Sequence, residues 1–260
     1  MKSPRDRFVE MKRSGHRFAT LTVYDYVFAR LLDDLGLDFL LVGDSLGMVQ
    51  LGHPDTTGVT MEQMEHHVAA AAAGIKQSLL IADLPAGSFE DKKSTLDHAR
   101  RLLRAGACGV KIEGGAEFAF QVAAMVADGI PVLGHIGMLP QKVREEGGYK
   151  IKGRTEEEAA SLLADALALQ DAGAFAIVLE LVEESVARRI TGAIEIPSIG
   201  IGSGEFCDGQ ILVSHDLLGL FPWFRPAFVR PKADLAGEIR LAVGAYRDEI
   251  RNPARPFSAP

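Results

Sequence analysis

Cysteine is nearly absent from this 260-residue chain, which has only Cys108 and Cys207. One sits in an apolar run read as a strand and the other in a loop. They make no disulfide framework, and a reducing, cytosolic setting is expected. No apolar run approaches the roughly 20 residues of a membrane-spanning helix. Met1 to Gly15 has no apolar leader core, and Asp6 and Glu10 within it argue against a transit peptide. Positive charge is in deficit: 28 Lys and Arg stand against 35 Asp and Glu, leaving no basic stripe for nucleic acid. The basic cluster Lys92, Lys93, Arg100, Arg101 and Arg104 is interleaved with Glu90, Asp91 and Asp97, as on a solvated helix face. A GxGxxG after the first strand, which a dinucleotide-binding sheet would often show, is missing. So is the GxSxG of serine hydrolases. The acidic average leaves an anionic substrate open, because a metal ion or one lysine reverses the sign locally.

What is present is a repeated alternation. Hydrophobic residues are 47% of the chain, enough for a large core without staples. Continuous apolar runs at about 18–24, 38–43, 78–83, 108–113, 131–135, 175–180, 197–201 and 211–215 read as parallel strands covered on their outer face. Helical patterns fall at about 26–35, 60–73, 89–105, 115–128, 155–172, 183–192 and 233–250. Gly36, Gly74, Gly106, Gly129 and Gly173 stand where left-handed helix caps are expected. Strands alternating with helices allow a closed barrel or an open doubly wound sheet. Eight near-equal units in this length favour the α/β class as a (β/α)₈ TIM barrel. The expectation is one domain over 1–252 with a C-terminal helix, and a mobile Pro-rich tail at 253–260. The connections at about 45–59 and 136–153 are candidate lids.

Polar residues gather at the strand ends, where this fold keeps its catalytic groups. The second run ends at Asp44-Ser45, the third at Asp83, the fourth at Lys111-Ile112-Glu113, the fifth at His135 and the sixth at Glu180. Lys111 and Glu113 are two apart, so they share a side. Val110 and Ile112 suit the helix-covered outside, which sends Lys111 and Glu113 into the barrel mouth. A buried ammonium needs carboxylates or an anionic ligand. Asp44, Asp83 and Glu113 on neighbouring strands would repel one another, and a hard divalent cation such as Mg²⁺ would relieve that. A single Asp there more often caps the next helix. Three in succession beside Lys111 point to a site.

Other signals are weaker. His66 with Glu62 reads as solvated helix surface, and His53 as structural or part of a lid. The turn Gly200 to Gly204 follows the seventh strand, where barrels often bind phosphate, but close packing explains it as well. Phe221, Trp223 and Phe224 suit packing or an oligomer contact.

The runs Leu21 to Tyr26, Val42 to Met48, Ala82 to Pro85, Val110 to Gly115 and Gly134 to Gly137 resemble the ketopantoate hydroxymethyltransferase family. Gly147 to Lys150, Val178 to Glu180, Asp208 to Gln210 and His215-Asp216 extend the resemblance over about residues 8–220. It implies a barrel of the phosphoenolpyruvate/pyruvate type that moves a one-carbon unit from 5,10-methylenetetrahydrofolate to 3-methyl-2-oxobutanoate, giving 2-dehydropantoate for pantothenate biosynthesis. It implies Mg²⁺ at Asp44, Asp83 and Glu113, in part through water. Asp44, Ser45, Asp83, Lys111 and His135 would bind the substrate, and Glu180 would accept the proton. A homo-oligomer, often a decamer, is implied too. A lyase or mutase on another 2-oxo acid within the same superfamily is the alternative, and a non-catalytic binding barrel a further one. Gly58, His66, Leu181, Glu183, Ser203 and the segment after Gly219 depart from the family pattern without removing a proposed metal or base residue.

Overall fold

Eight apolar runs become eight parallel strands: β1 Phe18–Thr22, β2 Phe39–Val42, β3 Leu79–Asp83, β4 Gly109–Glu113, β5 Val132–Gly137, β6 Ala176–Glu180, β7 Ser198–Ile201 and β8 Gly209–Leu212. They pair in chain order and β8 returns to β1, so the sheet is a closed barrel and not an open one. The helices are α1 Pro4–Arg13, α2 Tyr26–Leu32, α3 Leu46–Val49, α4 Met61–Gly74, α5 Lys92–Ala105, α6 Ala119–Ala127, α7 Glu156–Asp171, α8 Glu184–Ala193, α9 Ser214–Leu217 and α10 Leu235–Arg251. The computed structural model describes residues 4–252, so the expected tail at 253–260 lies outside the described residues. The chain divides into two compact units, with the boundary between Leu212 and Val213.

In the first unit, the period-two alternation of each strand sorts two apolar layers. Leu40, Val42, Leu80, Ala82, Val110, Ile112, Ile177 and Leu179 join the core between sheet and helices. Phe39, Leu41, Ile81, Leu133, Ala176, Val178, Ile199 and Ile211 fill the barrel interior. Asp83, Lys111, Glu113, His135 and Glu180 share the parity of the interior set. They therefore continue it toward the C-terminal rim, where apolar filling stops.

The N-terminal helix α1 is an element that the charged opening of the sequence did not advertise. A single large apolar residue anchors it: Phe8 is 1% exposed and stacks on Phe18 at 5.3 Å and edge-on against Phe175 at 5.0 Å. Lys12 Nζ donates to the carbonyls of Thr191, Ile194 and Ile196 at 2.8, 2.9 and 3.1 Å and pairs with Asp208 at 3.0 Å. A charged surface pattern thus hides a plug beneath the barrel.

Three local readings change. β8 starts at Gly209 and not at 211, and the expected strand end falls in α9. A Cβ at Gly209 would lie 2.4 Å from the Phe18 backbone, so the chain enters β8 at the residue that lets it pair closely with β1. Gly36, Gly106, Gly129 and Gly173 are left-handed as expected, but Gly74 is not. It stays in α4, where a Cβ would sit 2.6 Å from the Tyr26 carbonyl oxygen, so it serves close helix approach. Cys108 precedes β4 and is exposed, whereas Cys207 is buried. The first candidate lid contains α3, and the second begins inside β5 and includes a 3₁₀ turn at Pro140–Lys142.

Between α4 and β3, the fully buried Asp33 carboxylate accepts from the amides of Lys76 at 2.8 Å, Gln77 at 3.1 Å and Ser78 at 2.8 Å. Burial pushes this carboxyl up, but the three amides together bring it below its ordinary value. Asp33→Ala strands these donors, and a loss of about 1–3 kcal/mol is expected. Urea unfolding should show a lower midpoint at unchanged slope, and an unmoved midpoint would remove Asp33 from the supports of the turn.

The second unit carries α9 and α10. Asp234 caps α10 by accepting from the Gly237 amide at 3.0 Å. Phe221 and Trp223 meet edge to face at 5.3 Å, with Trp223 77% exposed. No helix among the described residues is long and apolar enough to cross a membrane.

Candidate active site

Strand register decides which rim groups meet. Asp83 on β3 is paired with Lys111 on β4, and Glu113 on β4 with His135 on β5. Lys111 Nζ lies 3.2 Å from Asp83 Oδ1, 3.3 Å from Glu113 Oε1 and 3.2 Å from His135 Nδ1. His135 Nδ1 is 3.4 Å from Glu113 Oε1, and its Nε2 is 3.4 Å from Glu180 Oε2. One continuous polar row therefore runs from β3 to β6. Asp44, Asp83, Lys111, Glu113 and His135 are all buried, and the Glu180 side chain keeps 14% exposure. Lys111 is placed as its spacing predicts.

Asp44 reaches this row differently. It lies beyond the end of β2, and its amide donates to Asp83 Oδ2 at 2.9 Å. Its own Oδ2 accepts from Gln141 Nε2 at 2.8 Å. Ser45 follows, with its hydroxyl 2.9 Å from Tyr24 Oη. Tyr24 is buried, and its carbonyl is 2.7 Å from His67 Nδ1. Neither Tyr24 nor Gln141 is distinguishable in the sequence from an ordinary core aromatic or loop amide. Tyr24 does lie inside a resembling motif, and that was the signal available for it.

The charges do not balance locally. Four carboxylates, Asp44, Asp83, Glu113 and Glu180, share this row with one ammonium and one imidazole. Burial raises Asp44 well above the ordinary carboxylate range, and the charges of Asp83 and Glu113 add to that. Burial also raises Asp83, although Lys111 and the Asp44 amide oppose it. Glu113 goes the other way: Lys111 and His135 overcome burial and hold it at about 2. Burial and Lys111 act to lower His135, but Glu113 and Glu180 prevail and lift it to about 9. Lys111 is raised despite burial by Asp83, Glu113 and Asp44. Burial thus disfavours the ionised form of Asp44 and Asp83, and a bound cation would favour it.

That pair fits a hard cation. Asp83 Oδ1 is buried and receives no well-directed hydrogen bond, although Lys111 is near. Glu113 is engaged within the row. Its Oε1 faces Lys111 and His135, and its Oε2 accepts from the Gln141 amide at 3.1 Å. Among the described residues no three His, Cys, Asp or Glu side chains converge as a ready metal cage. Two carboxylates with the remaining positions open is how Mg²⁺ is usually held.

The neighbouring features are structural. Ser203 Oγ donates to the Leu179 carbonyl at 2.7 Å and accepts from the Val182 amide at 2.9 Å. It braces the turn after Glu180, where Leu181 is the one non-glycine with positive φ (47°) among the described residues. The turn Gly200 to Gly204 thus supports Glu180. A Cβ at Gly47 or Gly58 would come within 3.4 or 3.6 Å of His53 Nδ1, so His53 packs over these glycines. His66 is exposed. Arg144 grips Asp55 with Nε at 2.7 Å and Nη2 at 3.1 Å, linking the two candidate lid segments.

Comparison with known proteins follows the same lines. The model of the family described as ketopantoate hydroxymethyltransferase matches residues 3–258. A 3-methyl-2-oxobutanoate hydroxymethyltransferase of Pyrobaculum islandicum is 51% identical over 92% of this chain and 92% of its own. One of Ignicoccus hospitalis is 48% identical over 94% of this chain and 93% of its own. Among solved structures, 2,3-dimethylmalate lyase, a member of the PEP mutase/isocitrate lyase superfamily, superposes with a TM-score of 0.62 at 16% identity, covering 100% of this chain and 93% of that one. Phosphonopyruvate hydrolase in complex with oxalate and Mg²⁺ gives 0.61 at 15% identity, over 96% and 86%. At such identities these two speak for the fold alone.

Proposed function

The chain belongs to the ketopantoate hydroxymethyltransferase family, and from that premise we propose that the polar row at the barrel rim is where 3-methyl-2-oxobutanoate is deprotonated and receives its hydroxymethyl group. The enzyme makes 2-dehydropantoate for pantothenate biosynthesis. The observation that carries the assignment of the site is the inward Lys111, held among Asp83, Glu113 and His135 in a row that ends at Glu180.

The residues divide the work by charge and position. Asp44 and Asp83 are the carboxylates that would hold Mg²⁺. When bound there, the ion supplies Lewis acidity that stabilises negative charge developing on the substrate. Lys111 offers its ammonium to the same anionic oxo acid, and Glu113 and His135 keep it in place. Ser45, positioned by Tyr24, presents a hydroxyl to the substrate. Glu180, at the open end of the row, takes the proton from C3, and His135 beside it steadies its charge. The C3–H pair of electrons then forms the bond to the one-carbon unit. The donor in this reading is 5,10-methylenetetrahydrofolate, tetrahydrofolate is released, and water provides the hydroxyl oxygen. Both C–N bonds of the folate's methylene bridge break, and the C3 proton taken by Glu180 together with the two protons of water end on the two freed folate nitrogens and the new hydroxyl. A homo-oligomer working in the cytoplasm belongs to the same proposal.

The test is consumption of 3-methyl-2-oxobutanoate by metal-stripped protein. Turnover should require both methylenetetrahydrofolate and added Mg²⁺, with a loss of at least about 10²-fold when either is left out. Turnover without the folate would favour a lyase or mutase reading, and full activity without a divalent cation would remove Asp44 and Asp83 from a metal role. Sedimentation of the same preparation gives the subunit count.

A further inference from the structure

Gln141 sits in the 3₁₀ turn just past β5, far in sequence from every rim acid it meets. Its Nε2 donates to Asp44 Oδ2 at 2.8 Å and to the Leu84 carbonyl at 2.9 Å. Its main-chain amide donates to Glu113 Oε2 at 3.1 Å. A carboxylate and a carbonyl both only accept, so the nitrogen end of the side chain must face them. One residue thus ties a loop after β5 to the ends of β2, β3 and β4.

We infer that Gln141 is a positioning residue for cation binding: its amide fixes one oxygen of Asp44 and so presents the other toward Asp83. The inference rests on the reading of Asp44 and Asp83 as the cation's carboxylates. Asp44 is past the end of β2, so no strand pairing orients its side chain. A neutral donor suits this task because it orients the carboxylate without supplying a positive charge that would compete with the ion. Hydrogen-bond partners of metal ligands typically contribute 10–100-fold in affinity. The main-chain bond to Glu113 does not depend on the side chain, so a substitution at 141 leaves the loop anchored and isolates the amide's effect.

The experiment measures Mg²⁺ affinity by calorimetry on the metal-stripped full chain, for the parent, Gln141→Met and Lys142→Ala. Lys142 lies in the same turn, and its Nζ is 3.6 Å from Glu117 Oε1. The expected result is Mg²⁺ affinity weakened about 10–100-fold in Gln141→Met, with the Lys142→Ala value unchanged. In turnover assays the Gln141→Met defect should shrink as Mg²⁺ is raised, because the apparent KM for the ion carries most of it. Should Gln141→Met fail to fold, Gln141→Ala is read by the same measure. Parent-like Mg²⁺ affinity in a folded position-141 variant overturns the inference and leaves the proposed function standing. A parent that binds no Mg²⁺ overturns the metal reading and this inference together.

Discussion

Glu180→Gln should all but abolish hydrogen exchange at C3 of 3-methyl-2-oxobutanoate while leaving substrate binding within a few-fold of the parent. The substitution keeps size and shape and removes only the proton acceptor. Glu180 has the geometry for the role: it ends β6 with inward parity, lies 3.4 Å from His135 Nε2 and keeps a partly open side chain while its neighbours are buried. A positioned general base contributes about 10²–10⁴-fold to a rate, and a loss in that range is expected in deuterium exchange followed by NMR. His135 loses one of the two carboxylates that lift it to about 9, so its pKa should fall in the variant. Exchange at the parent rate would dismiss Glu180 as the base, whatever its distance from the imidazole.

Lys111→Met should damage stability and turnover together. Methionine fills the space of the lysine stem but leaves Asp83 and Glu113 buried without their ammonium. Breaking a buried pair from one side costs about 3–5 kcal/mol. In a protein of this size that corresponds to a fall in Tm of roughly 6–20 °C. Turnover should drop by about 10²–10³-fold, the scale of removing one charge-stabilising donor. The pH dependence separates this cause from lost packing. In the parent, Lys111 and His135 hold Glu113 at about 2, below its unfolded value. That contribution is present at neutral pH and is lost as pH falls through about 2. In the variant, buried carboxylates without the ammonium titrate above their unfolded values. They then destabilise the fold as pH rises through those values and cease to do so when protonated. The Tm gap between parent and variant should therefore narrow on acidification from pH 7 toward pH 5. A constant gap would assign the loss to packing.

Much of the site was legible because its members sit on strands. Lys111 and Glu113 alternate with Val110 and Ile112, and the core takes the apolar pair outward as the pattern implies. Asp83, His135 and Glu180 follow the same rule at the ends of their own strands. Legibility failed where no period applies. Asp44 comes to Asp83 through its backbone amide in a turn, and Gln141 reaches Asp44 across 97 positions of chain. The division of the three acids was also hidden. They look alike in sequence, yet Lys111 and His135 hold Glu113 low while burial raises Asp44 and Asp83. α1 was missed for a related reason: one buried Phe8 among charges carries no helical apolar period.

Chain-local geometry let the amino-acid order alone specify eight alternating units, the inward face of each strand and the rim at which polar groups collect. It specified these because a side chain's direction on a strand depends on its immediate neighbours. The fold had to close before Asp83 stood opposite Lys111, Glu113 opposite His135, and a loop amide beneath Asp44. Those partnerships depend on register between strands and on where a distant loop docks, and no stretch of sequence contains either.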